Sequence, residues 1–157
     1  PRYPWPDQTF SIDVRTLQRR LRRDAFMPAD PSADPSLWPY LIGPGADLVG
    51  RPVEEFRVGA PAGVQATIDS PRSFDHVNLS RGVLTALVAG NVSGDPGNAL
   101  VAVVLNGRIA GGSPTFPRNG ANGGFEVLIP DRFFRQGRND LQLYLVEGSV
   151  LRPLATG

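Results

Sequence analysis

The chain has no cysteine, no lysine, one histidine and one methionine. Without cysteine there is no disulfide framework, no thiol nucleophile and no thiolate metal site. One histidine rules out a multi-histidine metal site. Any Ser-His-Asp relay would have to pass through His76, which follows Asp75, yet no Gly-x-Ser-x-Gly elbow supplies a nucleophile. His76 therefore reads as a loop residue. The acids are scattered, with only Glu54 and Glu55 adjacent, and there is no Asp-x-Asp-x-Asp calcium loop. The Gly-Gly pairs at 111–112 and 123–124 are not followed by helix signals, so they read as turns rather than phosphate cradles. No apolar run approaches the about 18 residues that cross a bilayer. No metal, cofactor or catalytic residue is expected from these patterns.

All sixteen basic residues are arginine, against fifteen acids, for a net charge of +1. This usage reads as codon bias of a GC-rich genome, with at most a few arginines serving bidentate anion contacts. Nucleic acid is a poor fit, because the balance is nearly neutral and no aromatics are interleaved with the arginines. The first residue is Pro1, from which we expect a fragment of a longer chain whose signal or anchor lies outside it.

What the chain does have is glycine and proline, eighteen and sixteen of them, spaced to punctuate short strands. Residues 99–105 are almost wholly apolar and predict a central strand covered on both faces. Asn106-Gly107 predicts a type I′ hairpin, since both residues tolerate positive φ, and residues 108–112 return. Residues 114–124 read as a loop and 125–129 as a strand. Residues 130–134 read as a short helical turn with Phe133 or Phe134 plugging the core. The Gly137-x-Asn139 turn precedes a closing strand at 140–147. Earlier, 55–58, 63–69 and 83–92 read as strands. About seven strands with turns every 8–12 residues predict an immunoglobulin-like antiparallel β-sandwich.

Residues 1–60 differ. Ser11 or Asp13 can cap an N-terminal α-helix over 11–26, with Val14, Leu17 and Leu21 on one face and Pro28 ending it. Five prolines between 31 and 52 then predict an irregular, extended strap over 28–53, held down by Leu37, Trp38, Tyr40, Leu41 and Ile42. The expected organisation is an arm over 1–55, a mainly β sandwich over 56–150 and a C-terminal tail over 151–157.

Two groups of residues are candidates for contact. Trp5, Trp38 and Tyr40 lie in the Pro-rich arm, where exposed rings would stack on sugar faces and buried ones would nail the arm to the sandwich. Arg15, Arg19, Arg22 and Arg23 on the predicted helix would form a patch for anionic lipid head groups or an acidic polymer, or a solvated outer face. Asn78-Leu-Ser and Asn91-Val-Ser match a glycosylation sequon.

Five segments, taken in order, resemble a known family. They are Asp47-Leu-Val-Gly-Arg-Pro-Val, Phe56-Arg-Val-Gly-Ala-Pro, residues 64–77, Val103-Val-Leu-Asn-Gly-Arg-Ile-Ala, and Phe134-Arg-Gln-Gly-Arg-Asn-Asp-Leu-Gln-Leu-Tyr. Over roughly residues 45–147 this order resembles the C-terminal region of membrane-anchored sulfatase-like proteins of actinobacteria. The resemblance implies a non-catalytic, extracytoplasmic domain, membrane-associated through its parent chain. Such a domain would pack on the parent's catalytic domain or present a cell-envelope substrate. No catalytic residue is carried over, because the Cys/Ser-x-Pro-x-Arg motif of sulfatases is absent. The alternatives are a carbohydrate-binding module and a small hydrolase with an unrecognised site. A sugar binder should show coplanar exposed rings or a polar groove lined by Asn, Asp and Arg. A domain packed on its parent should leave an exposed apolar patch. A hydrolase should show converging acids.

Overall fold

The computed structural model describes residues 34–157 except 83, 85, 95 and 119, with the Trp38 side chain also outside the description. The expected helix over 11–26, with Trp5, Arg15, Arg19, Arg22 and Arg23, lies outside the described residues.

The described chain is mainly β, with strands β1 (Arg57–Val58), β2 (Gln65–Ile68), β3 (Leu87–Val92), β4 (Leu100–Leu105), β5 (Arg108–Pro114), β6 (Phe116–Arg118), β7 (Ala121–Leu128), β8 (Leu141–Glu147), β9 (Val150–Pro153) and β10 (Ala155–Thr156). They form two five-stranded sheets, ordered β1-β9-β8-β4-β5 and β10-β2-β3-β7-β6. The sheets are mixed rather than purely antiparallel, because β1 pairs parallel with β9 and β10 pairs parallel with β2. Both ends of the described chain thus change sheets. β1 and β2 lie in different sheets, and so do β9 and β10, with Leu154 buried at the second crossing. Residues 151–157 are therefore strands and not a tail. Leu151 is completely buried, and the Leu154 amide donates to the Leu143 carbonyl at 2.9 Å.

Strand alternation builds the core. Val101, Val103 and Leu105 of β4 and Leu143 and Leu145 of β8 meet Val88, Phe125 and Val127 of the facing sheet. The other face of β4 carries Ala102 and Val104, which pack with Tyr144, Leu151, Leu48, Val53 and Phe56. The expected double coverage of residues 99–105 is present: one face is covered by the second sheet and the other by the strap.

The strap is more regular than its prolines suggested. It contains 3-10 turns at Pro35–Tyr40, Ala46–Leu48 and Val53–Glu55. Proline fixes φ near a value that a 3-10 turn accepts, so short turns survive where a longer helix would break. The strap also covers the free edge of β5: the Gly50 amide donates to Ile109 O at 2.8 Å, the Ile109 amide to Arg51 O at 3.0 Å, and the Val53 amide to Gly107 O at 3.0 Å. An exposed strand edge is a template for aggregation, and this edge is closed by its own chain.

Residues 114–124, expected as a loop, hold β6 and the start of β7. The Gly-Gly pairs read as turns lie inside strands instead. A Cβ on Gly111 would sit 2.5 Å from Val127 Cγ1 of the opposite sheet, and Arg118 lies directly over Gly124. Glycine is needed at these positions because other groups approach the backbone closely. The Asn106-Gly107 turn forms as expected, with φ of 53° and 82°.

Candidate functional site

The loops after β2, β4 and β7 meet at one end of the sandwich, and Asn139 joins them. It is 3 % exposed. Its Oδ1 accepts from Asn106 Nδ2 at 2.8 Å and from the Arg135 amide at 2.7 Å, while its Nδ2 donates to the carbonyls of Arg135 and Gly137. The Asn139 amide donates to Phe74 O at 2.8 Å. Asn106 reciprocates: Nδ2 also donates to Phe133 O at 2.9 Å, and Oδ1 accepts from the Asp140 amide at 3.0 Å. Val77 and Gly137 exchange two backbone hydrogen bonds alongside. A buried polar network satisfied this fully makes a rigid platform.

A groove lies on each side of the asparagine pair. The first, of ≈ 300 Å³, is bounded by the hairpin tip, the strap and residues 132–135, with Asn106, Arg108, Arg132 and Arg135 at its rim and Leu105 and Phe133 beneath. Arg108 Nη1 donates to Gly50 O at 2.9 Å. Arg132 Nη1 pairs with Asp34 and donates to Ser36 Oγ at 3.0 Å, and its guanidinium lies 5.8 Å from the Phe133 ring centroid. Hydrogen bonds from the Ser36 amide and hydroxyl, and then from Arg132, hold the Asp34 carboxyl below its ordinary value. The second groove, of ≈ 170 Å³, lies by the Pro71–Phe74 turn and carries Asp75, Arg138, Asn139 and Asp140.

Tyr40 is half-buried and packs against the main core, beside a third groove of ≈ 230 Å³ that it shares with Ile42, Gly112 and Leu128. Trp38 falls in the Pro35–Tyr40 turn. His76 is exposed in a turn, and no cluster of three or more metal-ligating side chains occurs among the described residues. Of the sequons, Asn78 caps the Leu79–Arg81 turn through its bond from the Ser80 amide, and Asn91 lies in β3 with Oδ1 buried and unpartnered among the described residues. No helix among the described residues is long and apolar enough to cross a membrane.

Of the charged residues that line these grooves, Asp75 was weighed in the sequence only as a partner of His76, and none was named as a contact residue. Arg108 and Arg135 are 27 positions apart and meet only because the β4–β5 turn and the β7–β8 loop share one end of the fold. The signal that pointed nearby was Asn106-Gly107 and Gly137-x-Asn139, which read as turn chemistry alone.

The fold and grooves define a two-sheet β domain with two grooves beside the Asn106–Asn139 pair. No protein-family model, curated protein or solved structure matches the chain.

Proposed function

We propose that this chain is a non-catalytic, extracytoplasmic C-terminal domain of a membrane-bound sulfatase-like protein, and that it holds a cell-envelope glycan for the parent's catalytic domain. The observation that carries the reading is the pair of grooves flanking Asn106 and Asn139, lined by Asn, Asp and Arg side chains. These residue types present planar, multiply hydrogen-bonding groups suited to sugar hydroxyls and their substituents.

The finer fold in this reading is immunoglobulin-like. The order β2-β3-β7-β6 corresponds to strands A-B-E-D, and β9-β8-β4-β5 to G-F-C with an added C′ strand. The grooves then lie on the loops between A and B, C and C′, and E and F. In antibody variable domains the binding loops are B–C, C′–C″ and F–G, so the grooves use the loops of the opposite end.

A second reading is support for docking on the catalytic domain. Leu87 and Leu128 are cross-strand partners, 47 % and 58 % exposed, with Ile42 also exposed. Large apolar side chains paired on an open sheet face are a contact surface.

The test is co-sedimentation of the chain with insoluble actinobacterial cell-wall polysaccharide. Wild-type protein should sediment with the polymer, Asp75→Ala and Asp140→Ala should reduce its retention, and Leu128→Ser should not. Trp5→Ala and Trp38→Ala test the aromatic alternative, and retention that falls only in these two moves the contact to the arm. No retention of wild-type protein on any envelope polymer would sink the glycan reading.

A further inference from the structure

The first groove has a charge pattern that sugar hydroxyls do not call for. Three arginines line it and no acid does. Among the described residues, the one carboxylate bonded to any of them is Asp34, on Arg132. Arg108 and Arg132 are held in place by Gly50 O, Ser36 Oγ and Asp34, and so present their remaining N–H groups in fixed directions. Arg135 differs. Its backbone is clamped on both sides by Asn139, yet its guanidinium has no partner among the described residues. A fixed backbone with a free, permanently charged fork is a group set to receive a ligand. Beneath the arginines lie Leu105, fully buried, and Phe133, nearly so. Three guanidinium groups line one groove and only one of them is paired with an acid among the described residues, which leaves net positive charge that an oxyanion would offset while accepting bidentate hydrogen bonds.

We propose that the groove between the Asn106-Gly107 tip and residues 132–135 binds a carboxylate or phosphate group borne on a glycan, with Arg108, Arg132 and Arg135 as its donors. This rests on the glycan-holding reading above and names the chemistry of the ligand. The second groove, with its two aspartates beside one arginine, takes the neutral hydroxyl-bearing part of the same chain.

The experiment is titration calorimetry of the whole chain at constant ionic strength, with three probes: a galacturonate oligosaccharide, its methyl ester, and inorganic phosphate. Arg135→Gln removes the free fork without breaking any contact of the described structure. Arg57→Gln makes the same charge change at the opposite edge of the β1-β9-β8-β4-β5 sheet. The expected result is that the acid binds about tenfold or more tighter than its ester, as charge-assisted bonds do. Arg135→Gln should lose that advantage and Arg57→Gln should keep it. Phosphate binding that depends on Arg135, with neither oligosaccharide bound, supports the oxyanion site and overturns the glycan reading. Equal affinity for acid and ester overturns the oxyanion site and leaves the glycan reading standing. Equal loss in Arg135→Gln and Arg57→Gln reduces the effect to general charge and overturns the site. No binding of any probe overturns it as well. Arg135→Lys separates a fork from a point charge: a bidentate site should not be rescued by lysine.

Discussion

Asn106 Nδ2 donates to Asn139 Oδ1 at 2.8 Å, across 33 residues of sequence, and this bond ties the β4–β5 turn to the loop that leads into β8. Around it, each asparagine also takes up backbone groups of the β7–β8 loop: the Arg135 amide and carbonyl, Gly137 O, Phe133 O and the Asp140 amide. The pair carries the shape of the end of the sandwich on which the grooves lie.

Removal of Asn139 is therefore expensive. Asn139→Ala leaves the Arg135 amide and carbonyl without their side-chain partner and takes one bond each from Gly137 O and Asn106 Nδ2, and should cost about 1–3 kcal/mol. Asn106→Gly keeps the positive φ of the turn and removes only the side-chain bonds. A urea-denaturation cycle with Asn106→Gly and Asn139→Ala should show a coupling energy of about 1 kcal/mol or more. Additive costs would mean that the two side chains act independently.

The C-terminal residues are structural. Leu151 is wholly enclosed and Leu154 is 6 % exposed, so Leu151→Ala should cost about 2–5 kcal/mol. A chain ending at Val150 loses β9 and β10, one member of each sheet, and should fail to give a cooperative unfolding transition. A truncated chain with an unchanged urea midpoint would contradict the observed topology.

Gly111 fixes how closely the two sheets approach. Gly111→Val should overpack the contact with Val127 and destabilise by about 1–3 kcal/mol or more. Gly111→Ala should also destabilise, and adding Val127→Ala should recover part of that cost, because the smaller partner makes room for the new methyl group. Thermal midpoints of the three proteins check this.

Tyr144 gives a pH signature. Burial, and then the negative charges of Asp140 and Glu54, raise its phenol above the ordinary value of 10.0. Its hydroxyl donates to Gln142 Oε1 at 2.7 Å. A proton held more tightly in the folded state than in the unfolded one stabilises the fold fully below the unfolded pKa, and that support fades as pH rises through the folded value. Stability should thus begin to fall near pH 10, and Tyr144→Phe should show a smaller alkaline loss. Tyrosinate absorbance should reveal one phenol titrating late in the folded chain; its ionisation at the ordinary value would contradict the burial argument.

The strands were legible where alternation and turn chemistry agreed. Residues 99–105, Asn106-Gly107 and the Asp131–Phe133 turn form as their patterns predict, and both Phe133 and Phe134 are buried. Three features were hidden. Gly111 and Gly124 looked like turn residues because a sequence does not distinguish a glycine that bends the chain from one that lets another group lie on it. The strap looked irregular because proline forbids long helices, yet single 3-10 turns need few backbone bonds. Residues 151–157 looked like a tail because strands of four and two residues leave almost no periodicity to read. The grooves were the least visible, since Arg108 at the start of β5 and Arg132 and Arg135 in the β7–β8 loop line one groove through tertiary pairings, among them Asn106 with Asn139, that no local pattern displays.

On the proposed reading, ligand is held at the end of the domain organised by Asn106 and Asn139. Amide chemical-shift mapping of the isotope-labelled chain during titration with soluble cell-envelope polysaccharide locates the contact residue by residue. Saturable shifts are expected on Asp75, Asn106, Arg108, Arg132, Arg135 and Asn139, with Leu87 and Leu128 unmoved. Shifts confined to Leu87, Leu128 and Ile42, or none under saturating polymer, would contradict it.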